Sequence, residues 1–166
     1  GAMKEYDTNG DGRIADEELE NAAWLKSAME RSEKLDVNGD GALAGEEIAD
    51  RVKAWMGKTG RWSMVFRVMK DGQPLVGATV KFVPPAFLGD KMPTGTGVTD
   101  ESGAASISIP LTEENDMRGV PPGLYRIEVT KEGVNIPEKY NTKTELGIEV
   151  AKDAEGLGGD LGVDIK

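Results

Sequence analysis

Two stretches of this chain place oxygen-bearing side chains at alternate positions around glycine. Asp7-Thr8-Asn9-Gly10-Asp11-Gly12-Arg13-Ile14-Ala15-Asp16-Glu17-Glu18 is the first, and Asp36-Val37-Asn38-Gly39-Asp40-Gly41-Ala42-Leu43-Ala44-Gly45-Glu46-Glu47 is the second. A hard cation such as Ca²⁺ takes about 6–8 oxygen ligands at ~2.3–2.6 Å, so carboxylates and amides at every second residue suit it as the chain turns. In the first stretch Asp7, Asn9 and Asp11 are the opening donors. Gly12 makes the sharp turn, the carbonyl of Arg13 follows, and Glu18 closes with both carboxylate oxygens. Asp36, Asn38, Asp40, the carbonyl of Ala42 and Glu47 repeat the set. Ala15 and Ala44 hold the ninth position, where neither can ligate, so water is expected there. Two Ca²⁺ ions are therefore the expected cofactors, with no other cofactor and no catalytic residue.

The rest of the composition narrows the chemistry in the same direction. The chain has no Cys and no His, which removes disulfides, thiolate chemistry, the commonest general base and nearly all zinc sites. Its formal net charge is −10, with 14 acids against 8 bases in residues 1–60. That balance argues against nucleic acid and anionic membrane as partners and favours cations. No apolar run approaches the ~20 residues of a membrane span. Gly1-Ala2-Met3 reads as the remnant of a cleaved tag and is left out of the fold expectation.

Both stretches match the pattern D-x-[DN]-x-[DN]-G-x₅-E in full and resemble EF-hand calcium loops. Asx-rich turns with glycine also occur in ordinary loops, but two complete matches that each lead into a helix separate these from that background. Ile14 and Leu43 sit at the eighth loop position, where paired EF-hands join through a short two-stranded contact, so the two sites are expected to couple. The loops start only 29 residues apart. Either a single helix or a tightly kinked pair, from about Asp16 to Lys34, must then leave one loop and enter the next. The helix before Asp7 is nearly absent, which reflects trimming or a resemblance to dockerins, calcium modules that bind a cohesin partner.

Periodicity divides the chain near Gly57-Lys58-Thr59-Gly60. Before it, Trp24, Ala28, Arg31 and Leu35 share a helical face with Leu25 and Met29 beside it, and Ile48, Val52, Trp55 and Met56 form a second stripe. After it, Met64-Phe66-Val68, Val76-Ala78-Val80-Phe82, Ala105-Ile107-Ile109, Leu124 to Val129 and Ile148-Val150 alternate as short strands between Gly, Pro, Asn and Asp clusters. The expected organisation is an EF-hand pair over residues 4–57, a linker over 58–62 and a β-sandwich over 63–166.

Asp71-Gly72-Gln73-Pro74-Leu75-Val76-Gly77-Ala78-Thr79-Val80, Gly97-Val98-Thr99-Asp100-Glu101-Ser102-Gly103 and Pro121-Pro122-Gly123-Leu124-Tyr125-Arg126-Ile127 resemble the carboxypeptidase regulatory-like domain. Ile136-Pro137-Glu138-Lys139-Tyr140 with Thr144-Glu145-Leu146 is similar to the variant in secreted or lipid-anchored planctomycete proteins. The resemblance implies a fold class of α+β in two parts: a small α-helical EF-hand pair followed by a seven-stranded antiparallel β-sandwich of prealbumin or immunoglobulin-like type. It also implies an extracytoplasmic location (periplasmic, cell-surface or secreted) and a protein or polysaccharide partner of the cell envelope. Adhesin repeats of related type form Lys-Asn isopeptide bonds, but the Lys position falls at Arg67 and Glu128 is one residue off the acid position, so none is expected. With strands running up and down in order, the Pro84–Thr96, Pro110–Pro122 and Ala151–Gly159 loops would meet the calcium unit.

Catalysis is not expected. Ser106 and Ser108 have no His to activate them, and Glu113, Glu114 and Asp116 read as solvated loop charge. Trp62, Phe87 and Tyr140 are the aromatics that could stack on sugar, but only nine aromatics are present and two small cores would use most of them. The favoured function is a non-catalytic calcium-binding protein whose metal orders one module against a binding or structural domain. The alternatives are a dockerin-like docking module and an accessory domain of a larger secreted enzyme.

Overall fold

The computed structural model describes residues 1–90, 92–154 and 161–166. The chain opens with α1 (Ala2–Tyr6), β1 (Arg13–Ile14), α2 (Asp16–Asn21), α3 (Ala23–Arg31), β2 (Leu43–Ala44) and α4 (Gly45–Trp55). β1 and β2 pair antiparallel, with Ile14 opposite Leu43, as the eighth loop positions predict. Of the two expected routes from loop to loop, the kinked pair is the one formed. Ala22, at φ −119° and ψ 53°, breaks the helix between α2 and α3.

The second part contains β3 (Met64–Lys70), β4 (Gln73–Pro74), β5 (Thr79–Val83), β6 (Gly95–Val98), β7 (Ala104–Ile107), β8 (Gly123–Thr130), β9 (Gly147–Val150) and β10 (Gly162–Ile165). One four-stranded sheet centres on β3, which pairs with β4, β7 and β10; the other runs β6-β5-β8-β9. Alternation does the work within each strand. Met64, Phe66 and Val68 of β3 face a shared core with Val80 and Phe82 of β5 and Ile127 and Val129 of β8, while Val65 and Arg67 face solvent.

This corrects the expected fold class. The protein is mostly β, with ten strands in three sheets and four short helices among the described residues, not a small helical pair followed by a seven-stranded sandwich. Three physical reasons account for the difference. The loops contribute a sheet of their own. β4 is only two residues long and exposed, leaving no apolar alternation to read. β10 pairs parallel to β3, with Val163 opposite Val68, and a short Gly-Val-Asp-Ile run announces neither its existence nor its direction.

A second core joins the two parts. Ile14, Leu19, Trp24, Leu25, Leu35, Leu43, Ile48 and Trp55 pack with Leu124 of β8 and Ala151, and with Phe87 and Leu88 from the turn after β5. Tyr6 packs edge-on to both Trp24 and Phe87, at 6.0 and 6.3 Å. Of the three loops expected to meet the calcium unit, the first supplies Phe87 and Leu88 and the third supplies Ala151 and Ala154. The Pro110–Pro122 loop supplies none to this core, and residues 155–159 of the third lie outside the described residues. Ala2 is buried and Met3 packs beside it, so the first residues belong to the fold rather than standing apart from it. Met56, placed on the inner stripe by periodicity, is 71% exposed because α4 ends at Trp55.

α3 lies directly on β9, close enough that a Cβ on Gly147 would overlap the backbone carbonyl of Trp24. Backbone, unlike a flexible side chain, cannot step aside. Gly147→Ala should therefore cost about 3 kcal/mol, the upper end of core overpacking, read as a lower urea midpoint. Gly133→Ala, at a glycine with open space but φ of 73°, should cost about 1 kcal/mol.

Candidate metal loops and the seam that holds them

The two loops are wired alike. Asp7 Oδ1 accepts from the N–H groups of Gly10 (2.7 Å) and Asp11 (3.2 Å), and its Oδ2 from Gly12 (3.0 Å). Asp36 does the same with Gly39, Asp40 and Gly41, at 2.8, 3.2 and 2.8 Å. Asn9 accepts from Asp11 N–H and Asn38 from Asp40 N–H; Asp11 accepts from Arg13 N–H and Asp40 from Ala42 N–H. These are Asx turns in succession, and they curl the chain tightly around the Asp7 and Asp36 carboxylates. The curl needs positive φ at the intervening glycines, which reaches 86° at Gly12 and 80° at Gly41.

The closing glutamates reach back across their loops. Glu18 Oε1 accepts from the N–H groups of Thr8 (2.7 Å) and Asn9 (3.2 Å), and Glu47 Oε1 from Val37 (3.0 Å) and Asn38 (3.4 Å). The other oxygen of each accepts from Ala15 N–H or Ala44 N–H. Glu18 and Glu47 thus also serve as the third residues of α2 and α4, satisfying one backbone donor at each helix start. The ninth-position alanines, read from sequence as gaps in the donor set, are the N-caps of these helices.

Among the described residues, no three or more acidic side chains converge as a group able to hold a metal ion. Each carboxylate is turned instead to N–H groups of its own loop. The donor chemistry nevertheless fits a hard divalent cation: it is all oxygen, and it mixes carboxylates with the Asn9 and Asn38 amides. Arg13, whose carbonyl was the expected donor, sends its side chain across to Asp40 of the other loop. The guanidinium holds the Asp40 carboxyl below its ordinary range. Burial pushes the Glu18 carboxyl up, but the N–H groups of Ala15, Asn9 and Thr8 outweigh it and leave it lowered.

The least expected cluster lies between the two parts. Glu149 of β9 is 1% exposed and Arg51 of α4 is 7% exposed. Arg51 donates from Nε to Glu149 Oε1 at 2.7 Å, with a second, charge-assisted bond from Nη2. Trp55 Nε1–H donates to the same oxygen at 2.9 Å, and the buried Ser32 hydroxyl donates to Oε2. Arg51 also reaches the exposed Asp153, at 3.0 Å, and lowers that carboxyl. The sequence pattern singles out neither Arg51 nor Glu149. The signal available was Glu149 between Ile148 and Val150 in a strand buried on both sides.

The three aromatics weighed for sugar stacking are largely in the cores, as the small number of aromatics leads one to expect: Tyr140 is buried, Phe87 packs on the seam and Trp62 lies against the main core. A cavity of about 660 Å³ opens beside the seam, lined by Trp55, Lys58, Trp62, Pro122 and Lys152; no loop donor reaches it. Ser108 uses its hydroxyl to bridge the Gly119 N–H and the Ile109 carbonyl. No family model matches the chain, and neither does any characterised protein or solved structure.

Arg51→Ala leaves the Glu149 charge buried without its partner and should cost about 3–5 kcal/mol. Asp153→Asn, at a side chain 56% exposed, should cost less than about 1 kcal/mol. Urea unfolding of the two variants separates these values. The lowered carboxyls of Glu18, Asp40 and Asp153 contribute stability that is complete above their ordinary values near 4 and is lost as pH falls through the lowered ones. The melting temperature in chelator should stay level from about pH 7 to 5 and drop below about pH 4.

Proposed function

We propose that this is a non-catalytic calcium-binding protein. Asp7, Asn9, Asp11, the Arg13 carbonyl and Glu18 hold one ion; Asp36, Asn38, Asp40, the Ala42 carbonyl and Glu47 hold another. The observation that carries this reading is the repeated wiring. The same side-chain oxygens take the same backbone donors in two loops that start 29 residues apart. A turn that merely reversed the chain has no need of the same four oxygen-bearing side chains at the same spacing, twice.

Calcium in this reading orders the N-terminal unit on the sheets. Binding restricted to the folded state adds directly to stability. An extracytoplasmic setting suits it, because extracellular calcium modules work with Kd of about 10⁻⁴–10⁻³ M. The docking-module alternative is less favoured, since Trp24 and Trp55, the large apolar side chains of α3 and α4, already lie against the chain's own β9 and its flanks.

EGTA should lower the melting temperature relative to 1 mM Ca²⁺, about 1 kcal/mol or more of stability being at stake when calcium exceeds Kd tenfold. Glu18→Ala combined with Glu47→Ala should abolish the difference. Identical melting curves for the wild type with and without calcium would sink the proposal.

A further inference from the structure

The second loop is gripped at both ends by one carboxylate. Ser32 stands four residues before Asp36, the loop's first donor, and Arg51 stands four residues after Glu47, its last. Both side chains end on Glu149, Ser32 on Oε2 and Arg51 on Oε1. Each transmission path is short and stiff. Glu47 and Arg51 are neighbours one turn apart on α4. On the entry side Leu35, completely buried, donates its N–H to the Ser32 carbonyl at 3.2 Å and anchors the residue before Asp36. The first loop has apolar contacts at its ends, Tyr6 on Phe87 and Leu19 in the shared core, but no such polar grip. Met3 and Ala22 occupy the corresponding positions, four before Asp7 and four after Glu18, and neither can make a polar bond to the sheets.

Resting on the calcium reading above, we infer that Glu149 is a positioning residue for the second calcium loop. By fixing the separation of the loop's entry and exit segments from outside, it removes conformational freedom that an ion would otherwise have to freeze, and so raises affinity at that loop alone. Linkage makes the effect reciprocal: an ion in the second loop steadies Ser32 and Arg51 and tightens the seam by the same factor. The first loop meets the sheets through the apolar contacts of Tyr6 and Leu19, without a buried polar group to fix its ends.

Calcium titration of variants of the whole 166-residue chain tests this. In a Glu18→Gln background, which leaves the second loop as the binding site, Glu149→Gln should weaken calcium about tenfold, within the range usual for coupled sites. Ser32→Ala, which removes one neutral hydrogen bond and strands no charge, should weaken it about threefold, and it decides the matter if Glu149→Gln fails to fold. In a Glu47→Gln background, which leaves the first loop, both substitutions should leave affinity within about twofold. The reciprocal readout is amide exchange at residues 147–150, slowed by calcium in Glu18→Gln and not in Glu47→Gln. A wild type that takes up two ions, with second-loop affinity unchanged by both substitutions or with both loops weakened equally, overturns this inference alone. A wild type that takes up none overturns the calcium reading as well.

Discussion

The arrangement of the two parts depends on a buried carboxylate. Glu149 sits on β9, beneath α3 and α4, where water cannot solvate it, and four donor groups from the N-terminal unit converge on its two oxygens. Apolar contact between Trp24, Leu25, Leu124 and Ala151 supplies attraction across the seam but little direction. The carboxylate supplies direction, because a unit shifted by a few ångströms would strand both Glu149 and Arg51. A buried ion pair adds little net stability against an apolar pair of the same volume. Its effect here is to make one docking geometry far better than its neighbours.

That geometry in turn dictates Gly147. A strand that carries a helix this close to its backbone has no room for a Cβ facing Trp24. The same strand must present Glu149 to α4 two residues later, on the same side of the sheet. β9 is therefore constrained at alternate residues by the N-terminal unit, while Ile148 and Val150 turn into the sheets' own core. All four residues are buried, which is why a strand at the edge of its sheet is not an exposed edge.

Much of the loop chemistry was legible from residue types alone. Asp7 to Glu18 and Asp36 to Glu47 announce their turns, their glycines and the Ile14–Leu43 pairing because those features are local and each has a steric cause. The main strands were legible for the same reason: the alternation of Met64, Phe66 and Val68 reports a half-buried surface. What could not be read depends on partners distant in sequence. Nothing near Arg51 indicates that a carboxylate 98 residues away meets it, and nothing in Gly162 to Ile165 indicates a parallel neighbour. The expected seven-stranded sandwich failed at those points, where a short strand's existence depends wholly on what it pairs with.

Size explains why the seam matters to the loops. A segment of about 60 residues buries too little of its surface to be more than marginally stable by itself. The N-terminal unit's contribution to its core includes three alanines, Ala2, Ala22 and Ala28, which bury little apolar area each. Such a unit needs a further source of order, and two are built into it. One is the loops themselves, whose Asp7 and Asp36 carboxylates tie down the N–H groups of each turn. The other is the face of β8 and β9, which completes the core with Leu124 and Ala151 and fixes it through Glu149. Because Ser32 and Arg51 flank the second loop, these two sources meet at that loop and not at the first. A change that loosens the seam therefore loosens the approach of Asp36 to Glu47, while Asp7 and Glu18 are held by the bonds of Glu18 to the Thr8 and Asn9 N–H groups and by the apolar contacts of Tyr6 and Leu19.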